Sequence, residues 1–339
     1  MTDWFRESMS CKVDRVEFVD LAKGICIILV VLFHFDGRQI HLLNLTTLRM
    51  PLFFVLSGMF FRSYGGAMIF VKKKANNLLV PCVFWLLVSC IISIIALYVK
   101  PIVLYGEAGP CHITASFFND FIRFNGAMWF LICLFITNII FYFLHKHLSG
   151  KKLAAGVLVM TLIGSIIREY QLSLPLYIGG AITALPFFYA GYIASKVGFV
   201  TNEIGRPLHT LIAGVALTGL SYAFCYYIGV PAISIYKNIV HGNTIVTYIG
   251  CLLCVFGILS VCKLIRWLPI VSYFGRYSLI VLCVHIPIII HSYTPLSILL
   301  GEHYSASLHL IIVLALCVIS IPLCKRFLPW FVAQKPLFK

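Results

Sequence analysis

Charge is what this sequence has least of. Asp, Glu, Lys and Arg together make up 11% of 339 residues, and Asp and Glu number only 11. A soluble domain of this length carries a charged surface to stay in water, whereas here 61% of the residues are hydrophobic and the mean hydropathy is +1.00. The scarcity excludes a soluble globular enzyme and leaves an integral membrane protein with almost no extramembrane domain. Linkers and repeats are missing too: no low-complexity stretch and no fixed period divides the chain, so a single domain, 1–339, is the simplest organisation. A cleavable leader is also absent from the pattern. The first fourteen residues carry Asp3, Arg6, Glu7, Lys12 and Asp14, so the first apolar run is expected to remain as a permanent helix. Thirteen cysteines are present, but they sit mostly within apolar runs, with only Cys111 clearly in an outer loop, and define no disulfide framework. Cys251-Leu-Leu-Cys254 has a metal-like spacing without His or carboxylate beside it, so it reads as packing, and no metal is expected.

What the chain does have is apolar length. Runs of about 18 residues or more recur from end to end, the length that carries a helix across a bilayer. About ten spans fit, at 17–35, 48–64, 77–99, 126–144, 153–167, 174–195, 208–229, 244–262, 272–293 and 306–324, the fifth being the shortest and bounded by Arg168-Glu169. The expected fold class is therefore all-α, a polytopic helical bundle embedded in the lipid bilayer. Its net charge of +15 invites a nucleic-acid reading, which the distribution of the cations argues against. Most of the 26 lysines and arginines fall in alternate loops, the cytoplasmic ones if the N-terminus is inside. That asymmetry favours ten spans with both termini cytoplasmic and makes most single lysines topology signals.

Against this apolar background a few polar groups stand out. Lys23 and His34 lie in the first run eleven positions apart, about three helical turns, so they share one face roughly 16 Å apart along the axis. Ionisable groups inside a span are costly, and such a stripe points to a bundle interior or a water-filled cavity. The loop near 100–125 sets Glu107, His112, Asn119, Asp120, Arg123 and Asn125 among four phenylalanines, which suits either a sugar or an interfacial aromatic belt. Lys72, Lys73 and Lys74 stand directly before a span, where they suit an anionic lipid headgroup or the phosphates of a nucleotide-like donor.

Four blocks carry a resemblance. Arg15 to His34 reads R-V-E-F-V-D-L-A-K-G-I-C-I-I-L-V-V-L-F-H, Met50 to Phe61 reads M-P-L-F-F-V-L-S-G-M-F-F, Lys72 to Pro81 reads K-K-K-A-N-N-L-L-V-P, and Met128 to Phe135 reads M-W-F-L-I-C-L-F. In this order and spacing they resemble the membrane-bound acyltransferase-3 family, particularly the branch of fucose 4-O-acetylase and other polysaccharide O-acetyltransferases. Tyr273 to His285 looks like that family's late span. The resemblance implies a ten-helix enzyme, expected in a bacterial inner membrane, that moves an acyl group, usually acetyl from cytoplasmic acetyl-CoA, to a hydroxyl of a cell-surface polysaccharide, oligosaccharide or lipid-linked sugar. The family's basic-residue-then-histidine pattern falls on Lys23 and His34, with lysine where many members have arginine. Arg49 stands where fucose-acetylase-like sequences often have histidine before Met-Pro-Leu-Phe-Phe. The extra hydrolase-like domain of some members is not expected here.

The residues supply chemistry consistent with that mapping. Acyl transfer to an alcohol needs a base for the hydroxyl proton, donors for the developing oxyanion and a grip on the donor's phosphates. His34 is the best-placed base. Asp20 and Lys23, at i and i+3, form a pair that lowers the cost of burying either, and Asp20 is counted with His34 among the catalytic candidates. Lys23 and Arg15 are expected to face the donor phosphates, with Lys72, Lys73 and Lys74 beside them. Arg49, Ser57, Trp129 and His285 are the substrate-binding candidates: a guanidinium for hydroxyls or an acidic sugar, a small hydroxyl within a span, a stacking ring and a late-span imidazole. Ser57-Gly58 lacks a nucleophile elbow, so helix packing or a hydrogen bond is expected rather than a covalent serine. From another class, a secondary transporter or lipid-linked-glycan flippase using Asp20, Lys23 and His34 as an ion relay is the alternative; the chain shows no paired broken spans or two-half symmetry to support it.

Overall fold

The structure is a computed structural model and describes residues 16–36, 47–105, 121–172, 174–202, 206–227, 233–240 and 242–338. In chain order the helices are α1 (Glu17–Asp36), α2 (Arg49–Met59), α3 (Ala67–Lys74), α4 (Val80–Tyr105), α5 (Trp129–His147), α6 (Gly150–Glu169), α7 (Ile178–Lys196) and α8 (Pro207–Tyr227). A two-residue hairpin follows, β1 (Ile233–Ser234) paired antiparallel with β2 (Ile239–Val240), then α9 (Thr244–Ile265), α10 (Pro269–Arg276), α11 (Ser278–Leu300) and α12 (Ala306–Phe327). The all-α polytopic class holds. Eight helical segments among the described residues are long and apolar enough to cross a membrane.

Two of the expected spans take other forms. The run at 48–64 yields only the 11-residue α2, roughly 16 Å long against a hydrocarbon core of about 30 Å. The late block breaks at Tyr277, whose φ/ψ of −118°/29° separates α10 from α11. The shortest expected span, 153–167, is the full 20-residue helix α6.

Between α3 and α4 the chain makes a π turn, Ala75–Leu79. Pro81 follows it. Proline has no N–H to donate to the preceding turn, and a wider turn is one way for a membrane helix to accommodate that loss.

Close helix crossings depend on glycine. On α1, a β-carbon at Gly24 would overlap the Val271 carbonyl of α10, and one at Gly275 of α10 would overlap the Asp20 carbonyl. The pairing of α2 with α7 is equally reciprocal: Gly58 meets the Phe188 carbonyl and Gly191 meets the Val55 carbonyl. Lipid tails are as apolar as leucine, so no hydrophobic difference drives these helices together, and close backbone approach supplies the packing instead. Outward faces are apolar, as in α6, where Leu158, Leu162 and Ile166 are exposed.

Candidate functional site

The site is built along α1. Lys23 and His34 are both half-buried. At the His34 end, the ring of His285 lies 5.2 Å from that of His34 between centroids. This pairing joins α1 to α11 across 251 positions of sequence. His285 is 0% exposed, and its Nδ1 lies 2.9 Å from the Val281 carbonyl one turn earlier. A carbonyl only accepts, so Nδ1 carries the proton and Nε2 is an acceptor. Among the described residues that Nε2 has no hydrogen-bond partner. Arg49, 7% exposed, opens α2 at the same end, with its guanidinium 3.8 Å above the ring of Phe33, the neighbour of His34. Its own carbonyl accepts from the Cys26 thiol of α1 at 2.8 Å, tying the two helices.

A cavity of about 310 Å³ runs among α1, α2, the π turn, α5 and α11. Lys23, Lys74, Asn77 and Ser278 give it a polar end. Phe53, Phe130, Leu134 and Leu282 give it apolar walls, with Ser57 among them. His285 stands one turn past Leu282 on the same face of α11, and Arg49 one turn before Phe53 on the same face of α2. The cavity therefore leads from two cations towards the histidine pair. Ser57 accepts from the Asn138 amide nitrogen at 3.4 Å, and that nitrogen also donates to the Leu134 carbonyl at 2.7 Å. The Asn138 Oδ1 is buried without a hydrogen-bond partner among the described residues.

The sequence candidates are thus sorted. Lys23, Lys74 and Ser57 share the cavity, while His34, His285 and Arg49 gather beyond it. Lys72 and Lys73 are exposed and do not line the cavity; Lys73 rests 4.0 Å over the ring of Tyr64. Asp20 is buried at the Lys23 end, fourteen positions and roughly 21 Å of helix from His34, so the two are not brought together. Trp129 packs with Tyr177 at 6.0 Å and Tyr236 at 5.4 Å between ring centroids. Arg15, and Glu107, His112, Asn119 and Asp120 of the aromatic loop, lie outside the described residues. Asn125 is fully buried, donating to the Cys283 carbonyl at 2.8 Å and to Ser89 at 3.2 Å, so it faces α11. Sequence reasoning missed Asn138. The signal was there, since an amide in the apolar run of α5 raises the same question as a charge in α1.

Helices crossing at glycine pairs around a cavity lined by two lysines, with a pair of imidazoles beyond it, define a polytopic helical membrane protein. The acyltransferase-3 family model, described as an acyltransferase domain, matches residues 16–324, from α1 into α12, and the chain belongs to that family. No curated protein and no solved structure matches it. The protein is accordingly a multi-pass membrane acyltransferase, an enzyme that works on an acyl donor and an acceptor.

Proposed function

We propose that this enzyme transfers acetyl from cytoplasmic acetyl-CoA to a hydroxyl of a cell-surface polysaccharide, oligosaccharide or lipid-linked sugar in a bacterial inner membrane, in the manner of fucose 4-O-acetylase-like O-acetyltransferases. The observation that carries this reading is the cavity, with Lys23 and Lys74 at its polar end and His34, His285 and Arg49 beyond its apolar one. Lys23 and Lys74 hold donor phosphates on the cytoplasmic side, with Arg15 as a further contact. The roughly 16 Å from Lys23 to His34 is a distance that a long, flexible thioester arm spans, so the acyl group crosses while the nucleotide stays behind.

At the far end His34 takes the proton of the acceptor hydroxyl as its oxygen bonds to the thioester carbonyl carbon. Arg49 donates hydrogen bonds to the hydroxyls or acidic group of the acceptor and holds it at that end. As the carbon–sulfur bond breaks, the imidazolium returns the proton to the departing thiolate, giving ester and free thiol. His285 accepts a hydrogen bond at Nε2 from the acceptor and keeps it oriented beside His34. Trp129, with Tyr177 and Tyr236, offers ring faces to the sugar. Asp20 stays at the donor end, beside Lys23.

The deciding experiment supplies acetyl-CoA to purified protein in nanodiscs and compares surface glycans by mass spectrometry from cells with and without the gene. Thiol release together with a glycan mass shift of one acetyl is the expected result. Unchanged glycans and no acetyl-CoA consumption overturn the proposal.

A further inference from the structure

The π turn that presents the cavity's polar end is held from outside. Lys74, Asn77 and Leu78 line the cavity. Between them Asn76 turns the other way, 6% exposed, and grips the end of the described chain. Its Oδ1 accepts from the amides of Leu337 at 2.9 Å and Phe338 at 2.8 Å, and its Nδ2 donates to the Phe338 carbonyl at 2.8 Å. The segment that reaches it is pinned along its length. Lys325 donates to the Tyr277 hydroxyl at 2.7 Å, next to Ser278 of the cavity. Phe331 stacks on Phe84 of α4 with centroids 3.9 Å apart, and its carbonyl accepts from the Trp85 indole at 3.1 Å. Ala333, at φ 55°, then turns the chain back towards Asn76.

A π turn holds one residue more than an α turn and relaxes to α unless its surroundings keep it. Relaxation moves the flanking side chains by about 100° per residue of slip, which would swing Lys74 and Asn77 off the cavity. We propose that Asn76 is a positioning residue: by binding the 325–338 strap it fixes the π turn and so sets how Lys74 and Asn77 face the cavity. Its consequence for donor binding rests on the donor reading above.

Two measurements separate the strap from that reading. In Asn77→Cys protein, the rate of modification at position 77 by a small charged thiol reagent, read by peptide mass spectrometry, should change several-fold when Asn76→Ala is added. Phe331→Ala, which weakens the strap while leaving Asn76 intact, should shift the rate in the same direction and serves where Asn76→Ala does not fold. An unchanged rate in every folded variant refutes the proposal whatever the donor does. Coenzyme A affinity in nanodiscs is the second readout: Asn76→Ala should weaken it about tenfold and leave kcat at saturating donor near wild type. Wild-type affinity in Lys74→Met defeats the donor reading alone, and wild-type affinity in Asn76→Ala beside a weakened Lys74→Met defeats the strap.

Discussion

Three lysines in a row, Lys72 to Lys74, are equivalent in sequence and unequal in the fold, and that difference is the sharpest test of the donor end. Helical neighbours are turned by about 100° from one another, so one of the three faces the cavity while the other two face out. Methionine keeps the aliphatic stem that carries Lys74 past the ring of Phe70, 5.6 Å from its ammonium, and removes only the charge. A charge-assisted contact to phosphate contributes about 1.5–3 kcal/mol. At about 1.4 kcal/mol per factor of ten, Lys74→Met should weaken coenzyme A binding about ten- to a hundredfold. Lys72→Met and Lys73→Met act only through solvent, where the screening length is about 8 Å at physiological salt, and should change affinity less than about twofold. The assay is titration of coenzyme A against purified protein in nanodiscs at low and high salt. Raising salt should erase the small effects of the exposed lysines and preserve that of Lys74. Equal losses from all three substitutions, all screened by salt, would refute the cavity as the donor site and leave the cluster as diffuse surface charge.

Other expectations follow from the same geometry. His34→Ala should lower turnover per folded molecule by about 10²–10⁴-fold, the usual contribution of a positioned base, with coenzyme A binding unchanged; near-wild-type turnover in monodisperse protein would remove His34 from the chemical step. Arg49→Gln and Trp129→Ala should each raise the acceptor KM more than the donor KM, and equal changes in both would count against an acceptor role. Gly275→Ala and Gly191→Ala should each lower the thermal midpoint, since the new β-carbon meets an opposing carbonyl and overpacking costs about 1–3 kcal/mol. Gly219→Ala, with nothing within 4 Å of the added carbon, is the neutral control.

How much of this was legible in the sequence depended on the range of the interaction. Apolar length alone located the long helices, because the bilayer demands it, and the 3.6-residue period alone put Lys23 and His34 on one face. Periodicity names a face without naming what lies across from it. The approach of His285 to His34 therefore had no local signal, and neither did the choice of Lys74 over Lys72 and Lys73. The run at 48–64 is apolar enough to read as a span, yet α2 ends at Met59 and packs on α7 through Gly58 and Gly191. Hydropathy measures what a segment tolerates, while tertiary packing decides how long its helix runs.

The glycine crossings also explain how so few polar groups can be held in register. Lys23 directly precedes Gly24, which touches the Val271 carbonyl, and Ser57 directly precedes Gly58, which touches the Phe188 carbonyl. Ser278 lies three positions past Gly275, the reciprocal contact on α10. Three polar residues of the cavity thus sit beside close glycine crossings, where a helix can neither slide nor rotate without driving a carbonyl into its neighbour. A site built from half-buried side chains needs such rigid support, because a displacement of about 1 Å is enough to lose a productive geometry. Small residues in these spans and charged residues in this cavity are therefore two parts of one arrangement: close helix approach fixes where each charge stands.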